Sequence, residues 1–326
     1  GFHLKSTLVK FCLDNGKAKD LDIMEFEKHN KLKKKKKIIS FVLLLNICLI
    51  ANAQLHKLEI GMSFGGSNYV GDINSSFNSN EENKQWNQFE SSFDFYNVNF
   101  MWGVVARYNF NPRWVLNTSF SLSRLEGNDA YFNNPRNLSF YSDIKEFSMV
   151  MEFNFLDYQT GSKKHRIAPF IFAGLAGFHF NPKTDLINPI TQIEESIELQ
   201  PYNTEGQGMP GYNKPYSRYS LAIPFGLGCK FSINNYISVA MQWGFRKTFT
   251  DYIDDISTRY VDHYQMVNWS GEVGAAAADR TNELPGYEGY YNEHNLSRGN
   301  EKNKDWYNFF GITITTKLSN GKAHCL

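Results

Sequence analysis

Apolar side chains recur at every second position along most of this chain, a period that places them on one face of extended strands. The rows are Leu58, Ile60, Met62 and Phe64; Val98, Phe100, Trp102, Val104, Ala106 and Tyr108; Trp114, Leu116, Thr118, Phe120 and Leu122; Phe147, Met149, Met151, Phe153 and Phe155. They continue as Leu221, Ile223, Phe225, Leu227, Cys229 and Phe231; Ile237, Val239, Met241, Trp243 and Phe245; and Phe310, Ile312, Ile314 and Leu318. An eighth stretch, Ile167 to Phe180, is apolar on both faces, and its Gly, Pro and Phe content favours a strand over a buried helix. Pro169 and Pro224 sit awkwardly in these rows, because proline cannot donate to a ladder.

The one long apolar run, Ile38 to Ile50, is shorter than the roughly 20 residues that a spanning helix needs. It follows the basic run Lys33 to Lys37 and precedes Ala51-Asn52-Ala53, the order of a secretory signal peptide. Residues 24–53 are therefore expected to be a leader cleaved between Ala53 and Gln54, with residues 1–23, before the first methionine, lying upstream of the real start. The mature chain is then a single domain over residues 54–326.

Connection lengths order the strands into a fold. Asn111-Pro112-Arg113, about ten residues after Phe155, and Asn234-Asn235 are short joins, whereas 66–96, 126–143, 181–217 and 250–305 are long and polar. Short turns on one rim and long loops on the other predict an all-β, eight-stranded antiparallel transmembrane β-barrel with periplasmic turns and extracellular loops. Arg107, Glu146, Glu152, Gln242 and Arg246 fall on the faces opposite the apolar rows, so they are assigned to the lumen and Met151 and Trp243 to lipid. A barrel of eight strands is filled by its own side chains, which argues against a porin or a plugged transporter. The lumenal charges are expected to pair with one another rather than to act as a relay.

Of the 34 basic side chains, 11 lie before Gln54, against 5 of the 33 acidic ones, so the mature chain carries 23 basic and 28 acidic groups. That mild acidity excludes nucleic acid as a partner, since phosphate binding needs clustered Lys and Arg. Only Cys229 and Cys325 follow the leader, too few for a four-ligand metal site, and whether they pair is open. The fourth loop holds Asp251, Asp254, Asp255, Asp262 and His263, a set that could position water or bind a cation. It lacks EF-hand spacing and a nucleophile motif, and His165, His179 and His294 show no ligand spacing. No enzyme activity, cofactor or metal is expected. Gly274-Ala275-Ala276-Ala277-Ala278 reads as a small-residue segment of that loop. On the turn rim, Arg113, Lys163, Lys164 and Arg166 form a basic edge suited to docking.

Three ordered segments carry a family resemblance: Glu59-Ile60-Gly61 through Gly65-Gly66-Ser67-Asn68-Tyr69-Val70-Gly71-Asp72-Ile73; Thr248 to Asp262, including Asp251, Tyr252, Asp254 and Asp255; and Arg298-Gly299-Asn300 with Asp305-Trp306-Tyr307. They resemble the PorG-like outer-membrane barrels of Bacteroidetes. That resemblance implies an accessory component of the type IX secretion system, embedded in outer-membrane lipid and touching periplasmic ring subunits of the machine without conducting cargo. A second function class stays open: a stand-alone barrel that binds a surface ligand or carries a hydrolase site on its loops.

Overall fold

A computed structural model of the chain describes residues 57–73, 97–132 and 134–318. The expected leader, its Ala53–Gln54 junction, residues 1–23 and Cys325 lie outside the described residues. Ten strands are present: β1 (Leu58–Val70), β2 (Asn99–Asn109), β3 (Trp114–Asn128), β4 (Ser139–Asn154), β5 (Ile167–His179), β6 (Pro182–Ile187), β7 (Glu194–Glu198), β8 (Tyr219–Ser232), β9 (Ile237–Thr248) and β10 (Trp306–Lys317). Eight of them form a closed antiparallel barrel in the order β3-β2-β1-β10-β9-β8-β5-β4, with β3 pairing β4 to complete the ring. These are the eight strands that the apolar rows predict. Among the described residues no helix is long and apolar enough to cross a membrane.

The barrel is apolar outside and polar inside. Ile60, Met62, Trp102, Val104, Phe120, Phe147, Met149, Leu175, Leu227, Met241, Ile312 and Ile314 are between 40% and 70% exposed on its outer wall. Met151 and Trp243 share that face, Trp243 half-buried. Glu59, Arg107, Asn117, Glu146, Ser148, Glu152, Lys230, Arg246 and Thr313 are buried within. A soluble barrel has the opposite arrangement. An exposed apolar band this continuous needs lipid around it, which makes this the outer-membrane type of β-barrel. Phe110, Trp114, Phe155 and Tyr236 add exposed aromatic rings near the turn rim, where a girdle marks the membrane interface.

Both two-strand turns use the same local chemistry. Asn111 Oδ1 accepts the Arg113 and Trp114 N–H groups at 2.9 Å each, and Asn234 Oδ1 accepts those of Tyr236 and Ile237 at 2.8 Å. Such Asx turns satisfy backbone donors that the ladder cannot reach. The two prolines are tolerated for separate reasons. Pro169 sits where the β4–β5 ladder ends at Asn154↔Phe170. Opposite Pro224 the β5–β8 register stops at Ala173↔Phe225 and resumes at Ala176↔Ala222, so the missing donor falls in a gap.

The long loops are more structured than their polarity suggests. β1 continues to Val70, and β3 and β4 pair from Trp114↔Phe153 up to Asn128↔Ser139, so both ends of 126–143 are strand. At 15 and 16 residues these two strands exceed the roughly 9–11 that cross a bilayer. The 181–217 loop contains the β6–β7 hairpin, joined to β4 through Tyr141↔Lys183 and Ser142↔Pro182. The 250–305 loop contains helix α1 (His263–Ala278), kinked at Gly271, where φ is 76°. The small-residue segment Gly274 to Ala278 forms its last turn, as high alanine content favours.

Candidate functional site: a filled lumen beneath a folded loop cap

From the turn rim upward, the lumen is occupied level by level. The β4–β5 connection folds under the barrel mouth: Tyr158 Oη lies 2.6 Å from Ser238 Oγ of β9, and Thr160 Oγ1 donates to Glu59 Oε1 of β1 at 2.6 Å. Above this floor Glu152 receives Arg107 Nε at 3.3 Å, Asn117 Nδ2 at 2.6 Å and Lys230 Nζ at 2.5 Å. An apolar level follows, built from Val150, Phe170, Phe172 and Ala240. Glycines on the facing strands make room for its rings: a Cβ at Gly244 would lie 2.5 Å from Phe172, and one at Gly228 2.6 Å from Phe170. Next, Glu146 accepts from Tyr307 Oη at 2.7 Å and pairs with Arg246 Nε at 3.2 Å, while the Arg246 guanidinium lies 4.2 Å from the Phe309 ring centre. The predicted internal ion pairs are present. Gln242 lies half-buried on the same face, and Lys230 joins as a charge that sequence inspection passed over, although its parity between Cys229 and Phe231 already pointed inward.

Over the loop rim the connections fold into one cap. Tyr69 Oη donates to Asp305 Oδ1 at 2.7 Å, and Asp305 Oδ2 accepts Ile253 N–H at 2.9 Å. Asp72 Oδ2 accepts Asn300 N–H at 2.8 Å. Arg298 reaches the Asp255 carbonyl at 2.6 Å, the Ala278 carbonyl at 3.1 Å and Glu205 Oε1 at 3.2 Å. Arg136 pairs with Asp129 at 2.8 Å and donates to the Asp72 and Arg298 carbonyls. Glu205 also accepts the Ser257 and Thr258 N–H groups at 2.9 and 3.0 Å. The three segments that carry the family resemblance therefore meet in one buried polar network. Arg136, Asp129 and Glu205 belong to no such segment; the contacts that recruit them are not local in sequence.

This network explains the acidic loop residues. Asp251 accepts from Ser257 Oγ at 2.7 Å, Asp254 caps Ile256 N–H at 3.0 Å, and Asp255 accepts from Tyr216 Oη at 2.6 Å and from Thr204 Oγ1. Asp262 caps α1 through Gln265 N–H, and His263 stacks on Tyr291. Tyr252 stacks on Tyr216 with ring centres 4.5 Å apart. Among the described residues no three His, Cys, Asp or Glu side chains are placed to hold a metal ion.

Burial pushes the cap carboxyls up. Asp72 rises to about 6 and Asp251 to about 7, desolvation outweighing the help of Asn300 N–H and Arg136 for the first and of Ser257 and Lys304 for the second. Asp254 and Asp305 rise further, through burial and then the neighbouring carboxyls. A folded-state value above the unfolded one gives stability that is complete in acid and lost as pH climbs through the folded value. The cap is thus expected to loosen between about pH 4 and 7, one carboxyl moved from 3.8 to about 6 accounting for roughly 3 kcal/mol. Hydrogen exchange in 250–305, corrected for its intrinsic pH dependence, should show weaker protection at pH 8 than at pH 5, with the difference reduced in Asp251→Asn. Equal protection at both pH values would contradict this.

On the turn rim, Lys163, Lys164 and Arg166 are exposed on one connection, and Arg166 Nη2 donates to the Ile233 carbonyl of the β8–β9 turn at 3.1 Å. Arg113 stands apart, paired with Asp157 at 2.8 Å.

The family described as Domain of unknown function (DUF6089) matches residues 36–274. The chain belongs to that family. In this DUF6089 member the matched span takes in β1 through β9 and most of α1. No curated protein matches the sequence. Among solved structures, Ail, the attachment invasion locus protein of Yersinia pestis, crystallised with the heparin analogue sucrose octasulfate, is 9% identical, with 79% of this chain and 96% of that chain covered and a TM-score of 0.34. The N-terminal β-barrel domain of Pseudomonas aeruginosa OprF is 10% identical, covering 80% and 98%, at 0.30. Neisserial surface protein A is 8% identical, covering 80% and 97%, at 0.35. The barrel assignment for the DUF6089 chain rests on its own strand pairing and apolar outer wall.

Proposed function

We propose that this chain is a non-enzymatic outer-membrane barrel that anchors or positions other subunits of the type IX secretion system. The observation that carries the reading is the filled lumen: ion-paired and aromatic levels occupy the barrel from the Tyr158 floor to the Tyr307 level, leaving the turn rim as the surface that can meet periplasmic partners. The resemblance at 59–73, 248–262 and 298–307 supports the same role, and the cap explains its acidic residues without chemistry. Lys163, Lys164 and Arg166 form the docking edge; Arg113 contributes less, because Asp157 already answers its charge. An acidic surface on a ring subunit would make this docking salt-sensitive.

Deleting the gene should lower the export of type IX cargo to the medium and cell surface. Restoring a variant with Lys163→Ala, Lys164→Ala and Arg166→Ala should rescue export only in part. Normal export in the deletion strain removes the secretion role. Full rescue by the triple variant keeps that role but removes the docking edge.

A further inference from the structure

The lipid-facing wall carries a groove of about 540 Å³ across β3, β4, β5 and β8, close to the loop rim. Strand register explains it. Phe120, Phe147, Gly177 and Leu221 stand side by side on the outer face, through Phe120↔Phe147, Phe147↔Gly177 and Gly177↔Leu221. Gly177 leaves a gap in this row, since a Cβ there would meet a single heavy atom within 4 Å, Leu221 Cδ2 at 3.9 Å. Phe147 and Leu221 are exposed and form the two walls. Just below, the β5–β8 ladder breaks between Ala173↔Phe225 and Ala176↔Ala222, and Leu175 stands out from the wall. An even wall would meet every lipid chain alike, whereas this recess offers one chain contact on three sides.

The upper edge of the groove is polar. The row above is Leu122, Lys145, His179 and Tyr219, with the rings of His179 and Tyr219 meeting edge to face at 4.8 Å. Lys145 stands nine residues from Asn154 at the turn end of β4; at roughly 2.6 Å of height per tilted residue that is about 23 Å, near the top of the roughly 25 Å apolar band. It therefore lies at headgroup level on the loop side. The carboxylates close to it are already answered, Asp143 by Arg124 at 2.9 Å and Glu198 by Arg218 at 2.9 Å and Lys183 at 3.7 Å. Lys145 itself makes no ion pair or hydrogen bond among the described residues. Lys247, near the loop end of β9, differs in lying over the Trp306 ring, 5.4 Å from its centre.

An apolar groove crowned by an unanswered cation fits an amphiphile with an acyl chain and an anionic headgroup. In a barrel of this type the loop rim faces outward, and so meets the outer leaflet, whose anionic lipid is a phosphorylated glycolipid. We infer that the groove seats one acyl chain of that glycolipid, with its phosphate against Lys145. The site is independent of the anchoring role on the opposite rim.

Native mass spectrometry of the folded full-length barrel, released from detergent after incubation with defined lipids, tests this. The probes are monophosphoryl lipid A, the same lipid with its phosphate removed, and dioleoyl phosphatidylglycerol. One molecule of monophosphoryl lipid A should be retained saturably, and loss of its phosphate should weaken retention about fivefold, the worth of one lysine beside an anionic lipid. Lys145→Ala should weaken retention of the phosphorylated lipid by the same factor and leave the dephosphorylated one unchanged. Gly177→Leu should weaken both about tenfold, by excluding roughly two methylenes from the groove. Lys247→Ala should change neither. Lys145 is exposed, so its variant tests the site even if Gly177→Leu fails to fold. Failure to retain monophosphoryl lipid A overturns the inference, as does equal retention with and without the phosphate. So do equal losses in Lys145→Ala and Lys247→Ala, undiminished retention by folded Gly177→Leu, or tighter retention of phosphatidylglycerol.

Discussion

Glu152→Gln is expected to destabilise the barrel by about 3–5 kcal/mol, read from the urea midpoint of reversible unfolding in lipid vesicles. Glu152 is fully buried and answers two cations, Arg107 and Lys230, so removing its charge leaves Glu59 as the one carboxylate for both at this level of the lumen. Lys230 retains Asn154 Oδ1 at 2.9 Å, a neutral acceptor that cannot replace a carboxylate. The level is also imperfectly satisfied as it stands, because Arg107 engages through Nε while its Nη1 and Nη2 have no protein partner. Buried ion groups of this kind seldom stabilise more than an apolar replacement of similar volume. The triple variant Arg107→Met, Glu152→Leu and Lys230→Met should therefore recover most of the loss. A cost below about 1 kcal/mol for Glu152→Gln would mean that the carboxylate is hydrated and the lumen open at this level.

The second large effect lies on the outer wall. Met149→Arg should cost about 2–4 kcal/mol, the value for a cation facing lipid at the midplane. Met149 stands five residues from Asn154 at the turn end of β4; at roughly 2.6 Å of height per tilted residue that is about 13 Å, half of the apolar band. Its inward neighbour Ser148 meets Ser119 Oγ at 2.7 Å, so Ser148→Ala should cost only about 0.5–1.5 kcal/mol. Refolding both variants into vesicles gives the comparison. Equal losses, or the reverse order, would assign the two faces of β4 wrongly and with them every strand paired to it.

The barrel was legible in the sequence because its determinants are local. A residue's parity along a strand decides whether it meets lipid or lumen, and Met149 and Glu152 can be sorted without knowing their neighbours. β5 lacked this contrast for a physical reason: Phe170, Phe172 and Phe178 fill the lumen while Ile171 and Leu175 face out, so both faces are apolar. The cap was not legible to the same degree. The β6–β7 hairpin alternates Thr184 and Leu186 against Ile197 over strands too short to stand out, and α1 is interrupted by Gly271. Acidic residues in the fourth loop looked available for chemistry because groups that engage them, Tyr69, Thr204 and Tyr216, come from distant parts of the chain. The family resemblance marked the right place without indicating its structural purpose.

The meeting of Tyr69 with Asp305, and of Asp72 with Asn300, also imposes an order of assembly. Each pair is separated by more than 220 residues and lies just above the β1–β10 seam, where the first and last strands of the ring zip together over Glu59↔Lys317 to Val70↔Trp306. Bringing such distant groups together costs closure entropy that only a finished ring has already met. These contacts are therefore expected to form after the ring closes, so that their presence reports a closed barrel beneath them.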